Sequence, residues 1–326
     1  MKGLKDFHAR MSWLSTVNLT DRYRGALVGL AAGSALGAAY QSRAPSLEPS
    51  EELNALEPGH WTGTASMAVC LAASLLERRG FDPRDQMDRY LRWWRQSRSG
   101  SNGSALEPEP GLWGALRRYE STGDPFAGSD EPSKAGSSSL ARLAPIPMYL
   151  IHDGARAKEI AAQMSRTTDA TVDAVDACRY MTGLIVGALR NESKEALLSD
   201  LYSPVYHYWL FQHVALSPAI DCIARGIYKQ KQASELAASG SAADTLEAAL
   251  WAFHKTSDFA AGALLAVRLS HNAETTAAVY GQLAGAYYGY SNFPGHWREK
   301  VARRTEIEDL AIALMHETKQ GIRHFT

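Results

Sequence analysis

Two stretches far apart in this 326-residue chain hold the side chains best suited to chemistry. Gly59-His60-Trp61-Thr62-Gly63-Thr64-Ala65-Ser66-Met67 leads into one helical pattern, and Ser270-His271-Asn272-Ala273-Glu274-Thr275-Thr276-Ala277 leads into another. Between them they offer hydroxyls, the imidazoles of His60 and His271 and one carboxylate. His271 with Glu274 and Thr62 would suit a single zinc or manganese ion. The plainer alternatives are that His271 fills a cleft and hydrogen-bonds there, and that Glu274 is a helix N-terminal acid stabilised by the macrodipole. A third stretch, Gly136-Ser137-Ser138-Ser139, could cradle an anion with its backbone N–H groups. No His/Asp signature accompanies these serines, which argues against nucleophilic chemistry. Asp169, Asp173 and Asp176 form an acid cluster whose spacing also fits a solvated helix face. Trp93-Trp94 reads as a stacking platform or as core and edge packing.

The elements that must position these residues are helical nearly throughout. Asp82 is a natural N-cap, Pro83 suits the first helical position, and Met87, Tyr90, Leu91 and Trp94 form an apolar stripe. The preceding helix, Ser66 to Arg79, ends at Gly80. Further helices are expected over Asp21–Ala39, Gly111–Thr122, Ala155–Gln163, Thr171–Leu189, Tyr206–Tyr228 (broken or kinked at Pro218), Thr245–Phe253, Phe259–Leu269, Thr275–Tyr288 and Glu306–Met315. Ala277, Gly281 and Gly285 recur every four residues. Glycine inside a helix costs about 1 kcal/mol against alanine, so this spacing predicts another helix packed very close. No segment alternates as a strand does. Ser97–Pro110 and Gly123–Ser139, rich in Gly, Ser, Pro and Glu, read as loops. One compact all-helical domain results, residues 21–326, with residues 1–20 as an N-terminal arm in which His8, Met11, Trp13 and Leu14 could dock on the body or a partner.

Composition narrows the function classes. A net charge of −1 gives no electrostatic case for nucleic acid or an anionic membrane. No run approaches the roughly 18 apolar residues of a membrane span. Cys70, Cys178 and Cys222 are odd in number, far apart and each in an apolar helical pattern, which predicts reduced, buried thiols in a cytoplasmic setting.

Both chemistry-bearing stretches resemble the metal-binding motifs of the ADP-ribosylglycohydrolase family, Trp-Thr-Asp-Asp-Thr and Gly-Gly-Asp-Ala-Asp-Thr-Thr. Asp21-Arg22-Tyr23-Arg24-Gly25-Ala26-Leu27, Leu140-Ala141-Arg142-Leu143-Ala144-Pro145-Ile146-Pro147, Thr245–Phe253 and Val279–Gly289 are similar to family segments in the same order, from about Asp21 to Trp297. The resemblance implies an all-α orthogonal multi-helix bundle and, in family members, cleavage of the glycosidic bond between ADP-ribose and a side chain or small group, using two magnesium or manganese ions. Residue by residue the carboxylates are mostly replaced. The family's first-motif Asp pair falls at Gly63 and Thr64, its second Thr at Ala65, an opening-helix Asp at Ser34 and a substrate-side Glu at Gln41. The second-motif Asp pair falls at Asn272 and Glu274, while Thr62 and Thr275 are kept. Losing even an outer partner of a metal ligand costs about 10–100-fold in affinity, so the resemblance implies no resident metal at the residual positions Thr62, Glu274 and Thr275. The ligand loop Gly-Asn-Gly-Ser falls at Gly136, Ser137, Ser138 and Ser139, a His at Asp169, a Gly-Tyr pair at Gly240 and Ser241, and a Gly at His271.

The expectation is therefore a non-catalytic relative that acts by binding ADP-ribose, an ADP-ribosylated protein, an ADP-ribosyltransferase or an active relative. The alternatives are a hydrolase of altered single-metal or metal-independent chemistry using Glu274, and a structural scaffold.

Overall fold

The computed structural model describes residues 17–43, 59–96, 101, 109–205, 215–237, 239–269 and 272–323, with the side chains of 42, 43 and 319–323 left aside. Among these residues the chain is all-α. Its helices are α1 (Leu19–Arg43), α2 (Gly63–Arg78), α3 (Pro83–Gln96), α4 (Pro110–Thr122), α5 (Ser138–Ala141), α6 (Pro145–Tyr149), α7 (Gly154–Arg166) and α8 (Val172–Leu189), then α9 (Lys194–Leu197), α10 (Pro218–Ala224), α11 (Ala242–Lys255), α12 (Phe259–Arg268), α13 (Ala273–Tyr288), α14 (Gly295–Lys300) and α15 (Arg304–Arg323). One isolated bridge joins Ser129 to Asp169.

The centre of the molecule is the antiparallel pair α1 and α13. Gly25, Gly29 and Gly33 of α1 lie against Gly285, Gly281 and Ala277 of α13, so close that a Cβ on Gly29 would overlap the Gly281 carbonyl. The four-residue small-side-chain spacing thus has the partner it calls for. The same seam brings Ser34 and Gly37 to the first turn of α13, where Glu274 sits. At the other end of the pair, buried Arg22 donates to the C-terminal carbonyls of Ala188 at 3.1 Å, Ala286 at 3.1 Å and Tyr287 at 2.6 Å. Carbonyls at a helix C-terminus lack intrahelical donors, and at Ala188 the guanidinium adds to the turn bond from the Asn191 amide at 3.1 Å.

A second, smaller core of Met67, Cys70, Met87, Tyr90, Trp93, Leu112, Leu116 and Tyr119 joins α2, α3 and α4. Asp82 caps α3 as expected, its Oδ1 accepting from the Arg84 and Asp85 amides, both at 3.0 Å. The buried stripe, however, is Met87, Tyr90 and Trp93; Trp94 packs at the edge. The Trp61 indole donates to the Ala302 carbonyl at 2.7 Å, which pins the stretch before α2 to the C-terminal part of the chain.

Several expectations need correction. Cys222 is exposed on α10, while Cys70 and Cys178 are buried. Pro218 starts α10 at the N-terminal position that needs no N–H rather than kinking a longer helix, and residues 206–214 lie outside the described set. The 123–139 loop contains a 3-10 turn, Pro132–Lys134, and the start of α5. Asp169 and Asp176 are buried, not solvated: Asp176 pairs with Arg179 at 2.7 Å and accepts from the Ser217 amide at 2.7 Å. The arm residues His8, Met11, Trp13 and Leu14 lie outside the described residues. Among the described residues no helix is long and apolar enough to cross a membrane.

Candidate functional site

Glu274 is the hub of the site. It stands in the first turn of α13, half-buried, and hydroxyls from three directions converge on it. Ser34 of α1 donates to its Oε1 at 2.7 Å and Thr62, the N-cap of α2, at 2.5 Å. Thr64 and Thr275 each donate to Oε2 at 3.3 Å. Thr62 makes no side-chain cap to its own helix; its hydroxyl is committed to Glu274. The Ser34 hydroxyl also accepts from the Thr62 amide at 3.1 Å. Burial raises the Glu274 pKa above the usual carboxylate value, the Thr62 and Ser34 hydroxyls oppose that shift, and the charge of Glu109 adds to it.

Glycine at position 63 is a packing requirement. A Cβ there would lie 2.8 Å from the Trp93 ring, so the indole occupies the space a side chain would need. Trp93 is buried and its ring N–H has no partner among the described residues. It lines a cavity of about 260 Å³ with Thr62, Thr64, Glu109, Ser138, Asn272 and Glu274. Glu109, Leu112, Ser138 and Asn272 also line a larger cleft of about 730 Å³, so the two are contiguous. The larger cleft takes its other walls from Trp113 and Arg118 of α4, Gly136, Thr168, Asp169, Ser239 and Gly240. A combined space of this size lies in the range that holds small organic ligands.

The sequence-predicted residues divide between cleft and support. Gly136, Ser138, Asp169, Gly240, Asn272 and the Glu274 cluster are brought together. Ser137 and Ser139 line neither cavity: both are buried, and Ser139 accepts from Ser165 at 2.9 Å and from the Cys178 thiol at 3.6 Å. Ser241 caps α11, accepting from the Asp244 amide at 3.2 Å. Gln41 is exposed near the end of α1, away from both cavities. Asp169 accepts from the Gly136 amide at 2.9 Å and from the Thr171 amide and hydroxyl at 3.0 and 2.7 Å. Its charge is spent on holding the loop, and the Gly136 N–H is no longer free for an anion. His271 lies outside the described residues.

Sequence reasoning missed Glu109 and Trp113, which were assigned to a loop and to an ordinary helix. The Glu109-Pro110 step was the available signal, since proline at the first helical position marks a start. Behind the cleft, fully buried Arg142 donates to Thr168 and to Ser138, the latter at 3.5 Å, and lies 5.2 Å from the Tyr90 ring centroid. It therefore fixes two residues of the cleft wall. Among the described residues no group of three or more His, Cys, Asp or Glu is placed to hold a metal ion.

Known proteins share this architecture. The chain is 33% identical over 307 residues to the ADP-ribosylarginine hydrolase Tri1 of Serratia proteamaculans (strain 568), covering 91% of this chain and 79% of that protein. It is 32% identical over 317 residues to the protein of the same name from Pseudomonas putida (strain GB-1), covering 96% and 82%. A solved structure described as an ADP-ribosylglycohydrolase-related protein complex superposes with a TM-score of 0.77 at 39% identity, covering 92% of this chain and 99% of that one. The family model for ADP-ribosylglycohydrolase matches residues 15–323, reaching into the segment expected to be an arm. With fold, order of motifs and near full-length similarity in agreement, the chain belongs to the ADP-ribosylglycohydrolase family.

Proposed function

We propose that this chain binds ADP-ribose, free or carried on a protein, without resident metal ions and without hydrolysing it. The observation that carries the reading is the environment of Glu274. Two divalent ions side by side need several hard anionic oxygens, to complete their coordination and to offset their mutual repulsion. Here one carboxylate meets the hydroxyls of Ser34, Thr62, Thr64 and Thr275, and both of its oxygens accept bonds from them. The position of the family's first Asp is Gly63, whose side-chain space the Trp93 ring fills. That donor set does not fit a pair of magnesium or manganese ions. The hydroxyl-rich junction instead suits a neutral polyol such as a ribose, and the cleft beside it has room for the rest of the ligand. The names of the Tri1 relatives support ADP-ribosylated arginine as the parent substrate class. An ADP-ribosylated protein, an ADP-ribosyltransferase or an active relative would then be the partner, in the cytoplasm.

The test is release of ADP-ribose from an ADP-ribosylated arginine peptide, followed with magnesium, with manganese and with EDTA. No release above the uncatalysed background is expected in any of the three. Metal-dependent turnover would contradict the proposal.

One observation favours a second reading, metal-independent hydrolysis. Glu109 and Glu274 line the same small cavity, and a pair of carboxyl groups flanking a cleft is the usual equipment for acid–base cleavage of a glycosidic bond. Turnover in EDTA that disappears in Glu274→Gln would establish that reading over binding alone.

A further inference from the structure

We propose that Trp113 is the stacking platform for the adenine base of the bound ligand. This rests on the reading of the cleft as an ADP-ribose site and adds which wall recognises the base.

Trp113 is 44% exposed, and of the exposed large apolar side chains Trp113, Phe126, Val172 and Ile227 it is the one that lines the large cleft. It is held there. The Arg117 guanidinium lies 4.7 Å from its ring centroid and also 5.9 Å from the Trp94 ring, and Arg95 lies 4.2 Å from Trp94 while pairing with Glu120 at 2.7 Å. This alternation of cations and indoles fixes the ring at the mouth of the cleft instead of letting it fold onto the body. A cation on one face of an indole also favours an electron-rich ring on the other.

The walls away from Leu112 and Pro110 are mostly small or polar, among them Gly136, Ser138, Ser239, Gly240 and Asn272, and Trp113 is the aromatic ring of this cleft among the described residues. A ligand with one flat aromatic end and a polar remainder fits that distribution. The polar end then reaches the Glu274 hydroxyl cluster through the shared wall of Glu109, Leu112, Ser138 and Asn272.

The experiment is calorimetric titration of the full chain with ADP-ribose and with AMP, for the unaltered protein, Trp113→Ala and Trp113→Phe. Base stacking on an aromatic ring is typically worth about 1–3 kcal/mol, so Trp113→Ala should weaken both ligands by about 5–150-fold. Trp113→Phe should recover most of the loss, and both variants should melt with the unaltered protein because the ring is exposed. If Trp113→Ala binds ADP-ribose as well as the unaltered protein does, the proposal is overturned while the binding function stands. The same holds if ADP-ribose weakens but AMP does not, or if AMP fails to bind the unaltered protein at millimolar concentration. Failure of the unaltered protein to bind ADP-ribose overturns both.

Discussion

Glu274 is the charged hub on which the hydroxyls of Ser34, Thr62, Thr64 and Thr275 converge, and its protonation is readable in stability. Its carboxyl has a raised pKa chiefly because it is buried. Between the unfolded value near 4.5 and the higher folded value, the native state holds the proton more tightly than the unfolded chain does. Stability therefore falls as pH rises through that window, and above it the full cost of the buried charge remains. Glu274→Gln keeps an acceptor for the hydroxyl cluster and removes the charge. The variant should melt higher than the parent at pH 7, and the difference should shrink toward pH 4.5; a variant that melts lower at pH 7 would show the charge to be stabilising. Gly63 is the second decisive residue. Gly63→Ala puts a methyl against the Trp93 indole and should cost about 1–3 kcal/mol in urea unfolding, despite the better helix propensity of alanine. Of the residues at this junction, Thr62, Asn272, Glu274 and Thr275 were legible because each lies at a helix start with recognisable motif spacing. Glu109, and the role of Trp93 in closing position 63, were not, because both depend on how α3 and α4 fold back over α2 and α13.

At the scale of elements, the seam between α1 and α13 sets the site. Gly29→Ala would drive a Cβ into the Gly281 carbonyl, an overlap with backbone that no rotamer can relieve. It should destabilise by about 3 kcal/mol or more and loosen the Ser34–Glu274 contact; unchanged stability would mean the helices can part without cost. The seam was half-legible: the small residues of α13 announced a close partner, but not which one. The acid spacing at 169, 173 and 176 misled because periodicity cannot distinguish a solvated face from one whose charges meet Arg179 and local amides. Between α7 and α8, Lys158 is fully buried, donates to the Ser203 hydroxyl at 2.7 Å, and is brought down to about 6 by burial and by the charge of Arg179. The unfolded chain holds the extra proton between about 6 and 10.5, so this residue makes stability rise with pH across that window. Lys158→Met should flatten the slope and raise stability at pH 7, because it removes the cost of desolvating the amine. A steeper slope in the variant would assign the pH dependence elsewhere.

Over the whole molecule, the all-α fold of the family frames a polar cleft region at the start of α13. Helix order, the α1–α13 seam and the buried Arg22 and Arg142 hold a cleft whose walls include hydroxyls, small residues, the tryptophans Trp93 and Trp113 and the carboxylates Glu109, Asp169 and Glu274. The all-α class was legible because helical periodicity recurs along the chain and no strand alternation competes with it. The shape of the cleft was not, since it forms between two cores that meet only in the folded state. The most direct test is calorimetric titration of the purified protein with ADP-ribose in EDTA, repeated with magnesium and with manganese. Binding of the same affinity in all three conditions is expected. Binding that appears only when metal is added would mean that the Glu274 junction holds ions after all, and would contradict the proposed function.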